Sequence, residues 1–177
     1  ILLVNWTIFD ATMQSLWRLA WNSLALAGGS SLFIVGIALL IGYANRLFPS
    51  RSLSYVTTFI GLGYALPGIV VAIGVLIPFG AFDVWVSAQL APWSIKPQLW
   101  ISGTLVAVIF AYLVRFLAVA NGNVVSGLSR IRPSIDQSGR LLGLSQTRVL
   151  TSIHIPLMRG SVLTAILVCF VDILKEL

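Results

Sequence analysis

The passage DQSGRLLGLSQTRVLTSIHIP, residues 136–156, lies between two long apolar stretches of a chain of 177 residues. Over the whole chain, only 9% of the residues are charged and 58% are hydrophobic, with a mean hydropathy of +0.99. A soluble domain carries about 25% charged and about 45–50% apolar residues. These charges are too few to cover a soluble surface, so we predict an integral membrane protein with one unusually polar loop.

Several stretches of the chain are long and apolar enough to be membrane helices. A helix needs about 20 apolar residues to cross about 30 Å of hydrocarbon, and these stretches are too continuous for the alternating strands of a membrane barrel. We predict an all-α, polytopic bundle of transmembrane helices in a single domain, residues 1–177. Because the sequence opens on Ile1 and stops at Leu177 inside an apolar run, we expect a fragment of a longer polypeptide. The predicted spans are about 19–45, 52–82, 97–120 and 160–177, the last one continuing, with a cytoplasmic loop at 121–159.

The cations of the connecting segments predict the orientation of the spans. Arg46 and Arg51 flank the first connection, which contains no acid, and the last connection contains five arginines against one acid. Since Lys- and Arg-rich loops stay in the cytoplasm, these two connections are predicted to be cytoplasmic and the second, 80–96, to lie outside. The five arginines are Arg130, Arg132, Arg140, Arg148 and Arg159, and the tryptophans suited to the outer interface are Trp85, Trp93 and Trp100.

The polar loop contains the signals of two short helices. Ser134 and Gln137 have the spacing of a capping box, and Gly143 offers the left-handed conformation that ends a helix. We therefore predict a first helix over about 135–142. Ser145 is expected to cap a second helix, which Pro156 is expected to stop.

One face of the first predicted helix has large apolar ends and a small middle. Ile135, Ser138, Gly139 and Leu142 share this face at helical spacing. An isolated helix shorter than about 12–15 residues is marginal, so packing against a groove must stabilise it. The helix could pack in a groove of the protein's own helices, in a groove of another protein, or on an anionic lipid surface. The spacing leaves these three alternatives open.

The same loop resembles the cytoplasmic loop of binding-protein-dependent ABC importer permeases. Their signature is Glu-Ala-Ala, three residues, Gly, nine residues, then Ile-x-Leu-Pro. Gln137, Ser138 and Gly139 occupy the Glu-Ala-Ala places, Gly143 follows at the family spacing, and 153–156 reads Ile-His-Ile-Pro. Gln137 lacks the charge of the family's glutamate, and Asp136 beside it is a candidate substitute. Segments 112–118, 127–131 and 170–177 resemble the ferric-iron branch, and the similarity extends from about residue 22 onward.

The resemblance implies a permease of the MetI-like type, the second half of a ferric-iron permease, with short coupling helices in the bacterial inner membrane. Its implied partners are a cytoplasmic ABC ATPase dimer, a periplasmic substrate-binding protein, a second permease half and membrane lipid, with no nucleic acid. The chain itself is expected to be no enzyme and to bind no cofactor, because ATP and magnesium are used by the ATPase. The sequence agrees, since neither Lys96 nor Lys175 follows a glycine as in a phosphate-binding loop. The alternatives are an importer of thiamine, molybdate, sulfate, polyamine or another small solute, and a secondary carrier or channel.

Two sets of residues are the candidates for function. Arg115 either extends its side chain to the cytoplasmic interface or has an interior role in gating. The two acids and the lysine near the end of the sequence either neutralise one another or line the translocation path. His154 has no partner at metal-ligand spacing and is expected to be a loop residue, and no metal site is expected. The ATPase-coupling set is Asp136, Gln137, Ser138, Gly139, Leu142, Gly143, Ile153 and Pro156; the possible translocation set is Arg115, Asp172, Lys175 and Glu176.

Overall fold

The protein is all-α. The computed structural model describes residues 6–90 and 98–177, and within these ranges it contains helices and no strand, which confirms the predicted fold class. A π-helical turn, Leu150–His154, joins two of the short helices. The helices are α1 Trp6–Leu47, α2 Arg51–Ala65, α3 Gly68–Leu90, α4 Leu105–Ser129, α5 Pro133–Leu141, α6 Gln146–Val149, α7 Ile155–Leu157 and α8 Arg159–Leu174.

Three of these helices are long and apolar enough to cross a membrane: Ser15–Leu47 within α1, Gly68–Leu90 and Leu105–Ser129. A fourth crossing is possible if the pair Gln146–Leu157 and Arg159–Leu174, bent by 79°, forms one span. The third candidate therefore ends nine residues beyond the predicted 97–120, so the connection predicted to begin at residue 121 begins later. Pro97, the predicted start of that span, lies outside the described residues, as do Pro92, Trp93 and Lys96 of the connection predicted at 80–96.

The second predicted span, 52–82, is not one helix. It is interrupted at Leu66, whose backbone is extended (φ −81°, ψ 138°). Proline disfavours a helical conformation of the preceding residue and cannot donate a backbone hydrogen bond, so Pro67 separates α2 from α3. Pro78, in contrast, lies inside α3 without ending it. Because α3 continues to Leu90, the first half of the connection predicted at 80–96 is helical.

The two pieces α2 and α3 both pack against α4. Gly63 of α2 lies against the carbonyl of Val114, where a Cβ atom would overlap the carbonyl oxygen. Farther along, the rings of Phe79 and Phe110 are 5.2 Å apart. The break between α2 and α3 therefore falls beside the middle of α4.

Asp83 fixes the end of α3 to the segment that precedes α4. Its side chain is buried and accepts hydrogen bonds from the backbone amides of Ile101 and Ser102, each at 2.9 Å, and from the Ser102 hydroxyl at 2.5 Å. A carboxylate with three donors is well satisfied. Asp83 therefore anchors the turn before α4 to α3.

The core forms around α4, which packs against α1, α2, α3 and α8. Small residues permit the close approach of helices: a Cβ at Gly42 would lie 2.9 Å from Val124 Cγ1, and one at Gly127 would lie 2.8 Å from Ser161 Cβ. The most completely buried residues of this core include Ala27, Ile34, Ala38, Phe116, Ala120, Val124, Ala165, Cys169 and Ile173.

Candidate functional site

The polar loop folds as a helical hairpin, residues 133–157, with α5 as its first arm. The helix starts at Pro133, a position where the missing amide donor costs nothing, so Ser134 lies inside the first turn and the predicted capping box is wrong. The predicted left-handed residue is confirmed, because Gly143 has φ +73°. This residue turns the chain from the first arm into the second.

The second arm begins as predicted and ends later. The Ser145 hydroxyl accepts a hydrogen bond from the amide of Arg148 at 3.3 Å. Pro156 does not stop this arm, because the π-helical turn before it changes the hydrogen-bond spacing and the amide of Ile155 donates to the carbonyl of Leu150. The arm ends at Met158, where the chain bends by 79° into α8.

The face predicted to pack as a unit is divided between the interior and the surface. Gly139 is buried against the second arm, and a Cβ there would lie 2.9 Å from Val149 Cγ2. Leu142, at the end of the same face, is 79% exposed, and its neighbour Leu141 is 88% exposed. Gly139 therefore packs on its own chain, while Ser138 and the apolar C-terminal end of α5 are exposed in the described structure.

Arg46, at the end of α1, ties the hairpin to the membrane helices. Its Nε donates to Asp136 Oδ2 at 2.9 Å, its Nη2 donates to the Ile131 carbonyl at 2.8 Å, and its Nη1 donates to the Leu128 carbonyl. The side chains of Arg46 and Asp136 are only 15% and 17% exposed. Charge-assisted hydrogen bonds in such a setting are stronger than those on an open surface, so α1, α4 and α5 are held together at this point.

His154 completes this group, and its interpretation as a loop residue is wrong, because it lies in the π-helical turn. The ring is fully buried, and its Nε2 lies 2.8 Å from Asp136 Oδ1, without the alignment of a good hydrogen bond. Tyr43 packs edge-on against the ring, with centroids 5.4 Å apart, and donates its hydroxyl to the Gln146 carbonyl at 2.9 Å. Burial lowers the pKa of His154, and Asp136 offsets part of this effect. We call Arg46, Asp136, His154 and Tyr43 the inner cluster.

The predicted coupling residues thus occupy different environments. Asp136 is paired with Arg46 inside the inner cluster and is only partly exposed. Leu141 is the most exposed leucine of the hairpin. The sequence did not identify it as a coupling residue, because helical spacing does not distinguish it from Leu142. Gln137, Ser138, Leu142, Gly143 and Pro156 are exposed, whereas Asp136 and Ile153 are partly buried and Gly139 is buried.

The four candidate translocation residues form two separate ion pairs. Arg115 pairs with Glu176: its Nη2 lies 2.6 Å from Glu176 Oε1, and both line a cavity of about 280 Å³ between α3, α4 and the end of α8. Lys175 donates to Asp172 Oδ1 at 3.1 Å, one helical turn away. Asp172 and Lys175 therefore neutralise one another and lie outside the lining of this cavity.

Fold and hairpin together define an all-α, multi-pass membrane protein with a polar helical hairpin on one side. No protein-family model matches the chain, and no solved structure matches it significantly. The chain is similar to a protein of Haemophilus influenzae named as a ferric transport system permease, FbpB 1, with 27% identity over 158 residues. This match confirms the resemblance found in the sequence. It covers 88% of the chain but only 22% of the relative, so the chain spans about a fifth of that protein's length.

Proposed function

We propose that this chain is part of the transmembrane permease of an ATP-driven, binding-protein-dependent importer in the bacterial inner membrane. The observation that carries the proposal is the uncovered apolar end of α5, where Leu141 and Leu142 are 88% and 79% exposed. Two adjacent leucines at the tip of a polar hairpin form a surface suited to a cytoplasmic ATPase. Burying one leucine contributes about 1.5–3 kcal/mol.

The inner cluster supports the mechanical part of the proposal. A docking helix transmits movement only if it is fixed to the membrane helices that must move. Arg46 of α1 bonds to Asp136 of α5 and to two carbonyls at the end of α4 and just beyond it. A displacement of α5 by the ATPase would therefore be transmitted to α1 and α4 together.

We propose ferric iron as the cargo, because the relative is named for ferric transport. The further partners proposed are a periplasmic binding protein, which delivers the solute to the outer face, and a second permease half. Hydrolysis of ATP takes place on the partner ATPase, and the chain acts as a transport subunit without enzymatic activity. Thiamine, molybdate, sulfate and polyamines remain alternative cargoes of the same machine.

A secondary carrier or channel is the alternative outside this class. Such a protein has no use for an uncovered helix end rigidly fixed to its membrane helices. The experiment that separates the two is co-purification of the complete permease with the ATPase of its own transport system. Leu141→Ser combined with Leu142→Ser should lower the amount of co-purified ATPase at least about tenfold, since two leucine burials are lost.

Leu157→Ser is the matched control, because Leu157 is a 60% exposed leucine on the other arm of the same hairpin. It should leave ATPase association unchanged. Deletion of residues 137–143 should abolish association while membrane insertion is kept. Unchanged ATPase recovery with the Leu141/Leu142 double variant would refute the proposed coupling surface.

A further inference from the structure

Three arginines lie where two of the apolar helices meet the hairpin. Arg130 directly follows α4, Arg132 lies between α4 and α5, and Arg159 is the first residue of α8. All three are exposed, and none of them forms an ion pair with an acid in the part of the chain that the structure describes. Asp136, the acid of the hairpin, is already paired with Arg46. These three positive charges are therefore available to an anion from outside the chain.

Two of these arginines line an open cavity of about 400 Å³ between the end of α4, the beginning of α5 and the beginning of α8. Arg130 and Arg132 are its charged residues, and no acid is among the described residues that line it. Its volume lies within the range of about 300–1,000 Å³ that is usual for small-molecule sites. Because the candidate span of α4 ends at Ser129, the cavity lies beside the end of a membrane-crossing segment. The apolar part of its wall includes Ile131, Ile135 and Met158.

An apolar groove of about 520 Å³ follows the surface of α8 next to this cavity. Arg159 lies at one end of the groove, and Val162, Leu163 and Ile166 continue it along the helix. These four residues share one face of α8, because they follow one another at i, i+3, i+4 and i+7. A positive charge at the end of an apolar groove is complementary to an amphipathic anion.

Gly160 connects the two features, because it lines both the cavity and the groove. A Cβ atom at this position would meet no heavy atom within 4 Å. The space beside Gly160 is therefore open in the described structure. One ligand can place a charged group in the cavity and an apolar chain in the groove.

We propose that the cavity and the groove together bind one anionic phospholipid of the surrounding membrane. Its phosphate lies against Arg130 and Arg132, and one acyl chain follows α8 from Arg159 to Ile166. Guanidinium groups bind phosphate through charge-assisted hydrogen bonds, and basic pockets between membrane helices commonly bind anionic headgroups. A protein covering this face would have to bring its own acids to the arginines, whereas the membrane supplies both the phosphate and the apolar chain. The bound lipid contacts α4, α5 and α8, and it therefore stabilises the base of the hairpin.

The test is native mass spectrometry of the complete protein in detergent, with phosphatidylglycerol, phosphatidylcholine or sodium phosphate as separate probes. Phosphatidylglycerol should bind in a saturable step, and phosphatidylcholine, which carries no net charge, should bind more weakly. Each arginine contributes about fivefold to the affinity for an anionic lipid, so Arg130→Gln combined with Arg132→Gln should lower the phosphatidylglycerol affinity about 25-fold. Arg148→Gln is the matched control, because Arg148 is an exposed arginine of the same hairpin that lines neither the cavity nor the groove. It should leave the affinity unchanged.

Gly160→Leu tests the shape of the site independently of its charge. Because the new side chain enters open space, the fold should be kept, while the blocked passage should lower the phosphatidylglycerol affinity at least about tenfold. Gly122→Leu is the matched control, since Gly122 is an exposed glycine of α4 whose Cβ would also meet no atom within 4 Å. It should leave the affinity unchanged.

Several results would overturn the proposal. An equal loss of affinity in Arg148→Gln and in the Arg130/Arg132 double variant would show diffuse attraction to a basic surface. Binding of phosphate without binding of phosphatidylglycerol would assign a free anion. No saturable binding of phosphatidylglycerol to the complete protein, the result expected if a second permease half covers α8, would exclude a lipid at this place. The assay contains no ATPase and no transported solute, so its outcome is independent of the co-purification test of the coupling surface.

Discussion

Replacing Arg46 by alanine should release the hairpin from the membrane helices. The substitution removes three hydrogen bonds, to Asp136 and to the carbonyls of Leu128 and Ile131. It also leaves the Asp136 carboxylate, 17% exposed, without its cationic partner. Loss of one partner of a buried ion pair lowers stability by about 3–5 kcal/mol. Because the Asp136 carboxylate keeps some contact with solvent, we expect a loss at the lower end of this range, about 3 kcal/mol. Asp136→Asn loses the ion pair but keeps both carbonyl bonds, so we expect about 1–2 kcal/mol.

Limited trypsin cleavage after Arg148 measures this release, because Arg148 lies in the hairpin and cleavage of a folded segment requires local opening. When opening is fast relative to cleavage, the rate follows the free energy of opening. A loss of about 3 kcal/mol corresponds to cleavage about 150-fold faster, and 1–2 kcal/mol to about 5- to 30-fold. These rates should rise at the hairpin while α1 and α4 stay protected.

Arg51→Ala is the matched control, since Arg51 is an exposed arginine at the start of α2 on the same side of the bundle. It should leave the cleavage rate at Arg148 unchanged. Equal rates for Arg46→Ala and Arg51→Ala would refute the role assigned to the inner cluster.

Three further predictions concern packing and pH. Gly139→Ala should destabilise the hairpin by about 1 kcal/mol, because the new Cβ lies 2.9 Å from the stiff Val149 side chain. Combining it with Val149→Ala should recover part of this loss in the trypsin assay. The absence of any coupling between the two substitutions would contradict the contact between Gly139 and Val149. Gly63→Ala should lower Tm by several degrees, because its Cβ would overlap the Val114 carbonyl. Gly61→Ala, whose Cβ meets no atom within 4 Å, should leave Tm unchanged. Equal changes in Tm for the two variants would argue against the close α2–α4 contact. The pKa of His154 is lowered in the docked hairpin, so the open hairpin binds a proton more readily than the docked one. Docking should therefore weaken as the pH falls below about 6.5, and the cleavage rate relative to that of His154→Gln at the same pH should rise by at most about tenfold per pH unit. A ratio of these two cleavage rates that is independent of pH would contradict this prediction.

Local patterns account for the features predicted correctly. Hydropathy and length identify membrane helices because the bilayer requires about 20 apolar residues per helix. Gly143 and Ser145 were placed correctly because a left-handed turn and a helix cap depend on a few neighbouring residues. Even here, the prediction that Pro156 stops the second helix was wrong, since a π-helical turn precedes it and the chain continues as a helix to Leu157.

Such local patterns do not predict the partners of Arg46, Asp136 and Arg115. Arg46 and Asp136 are 90 positions apart in the sequence, and Arg115 meets Glu176 from a different helix. Neither pair has a spacing that periodicity could detect. His154 and Asp136 are close in sequence, but they meet only because the two arms of the hairpin fold against one another.

The sequence by itself therefore determined the all-α membrane architecture, the polar hairpin and the resemblance to importer permeases, because each follows from composition or from short-range spacing. Only the tertiary structure decided which residues of the hairpin are buried, which remain available to a partner, and which charges share a cavity. The physical reason is that burial and ion pairing depend on the packing of helices that are distant in the chain, with α4 at the centre of the bundle.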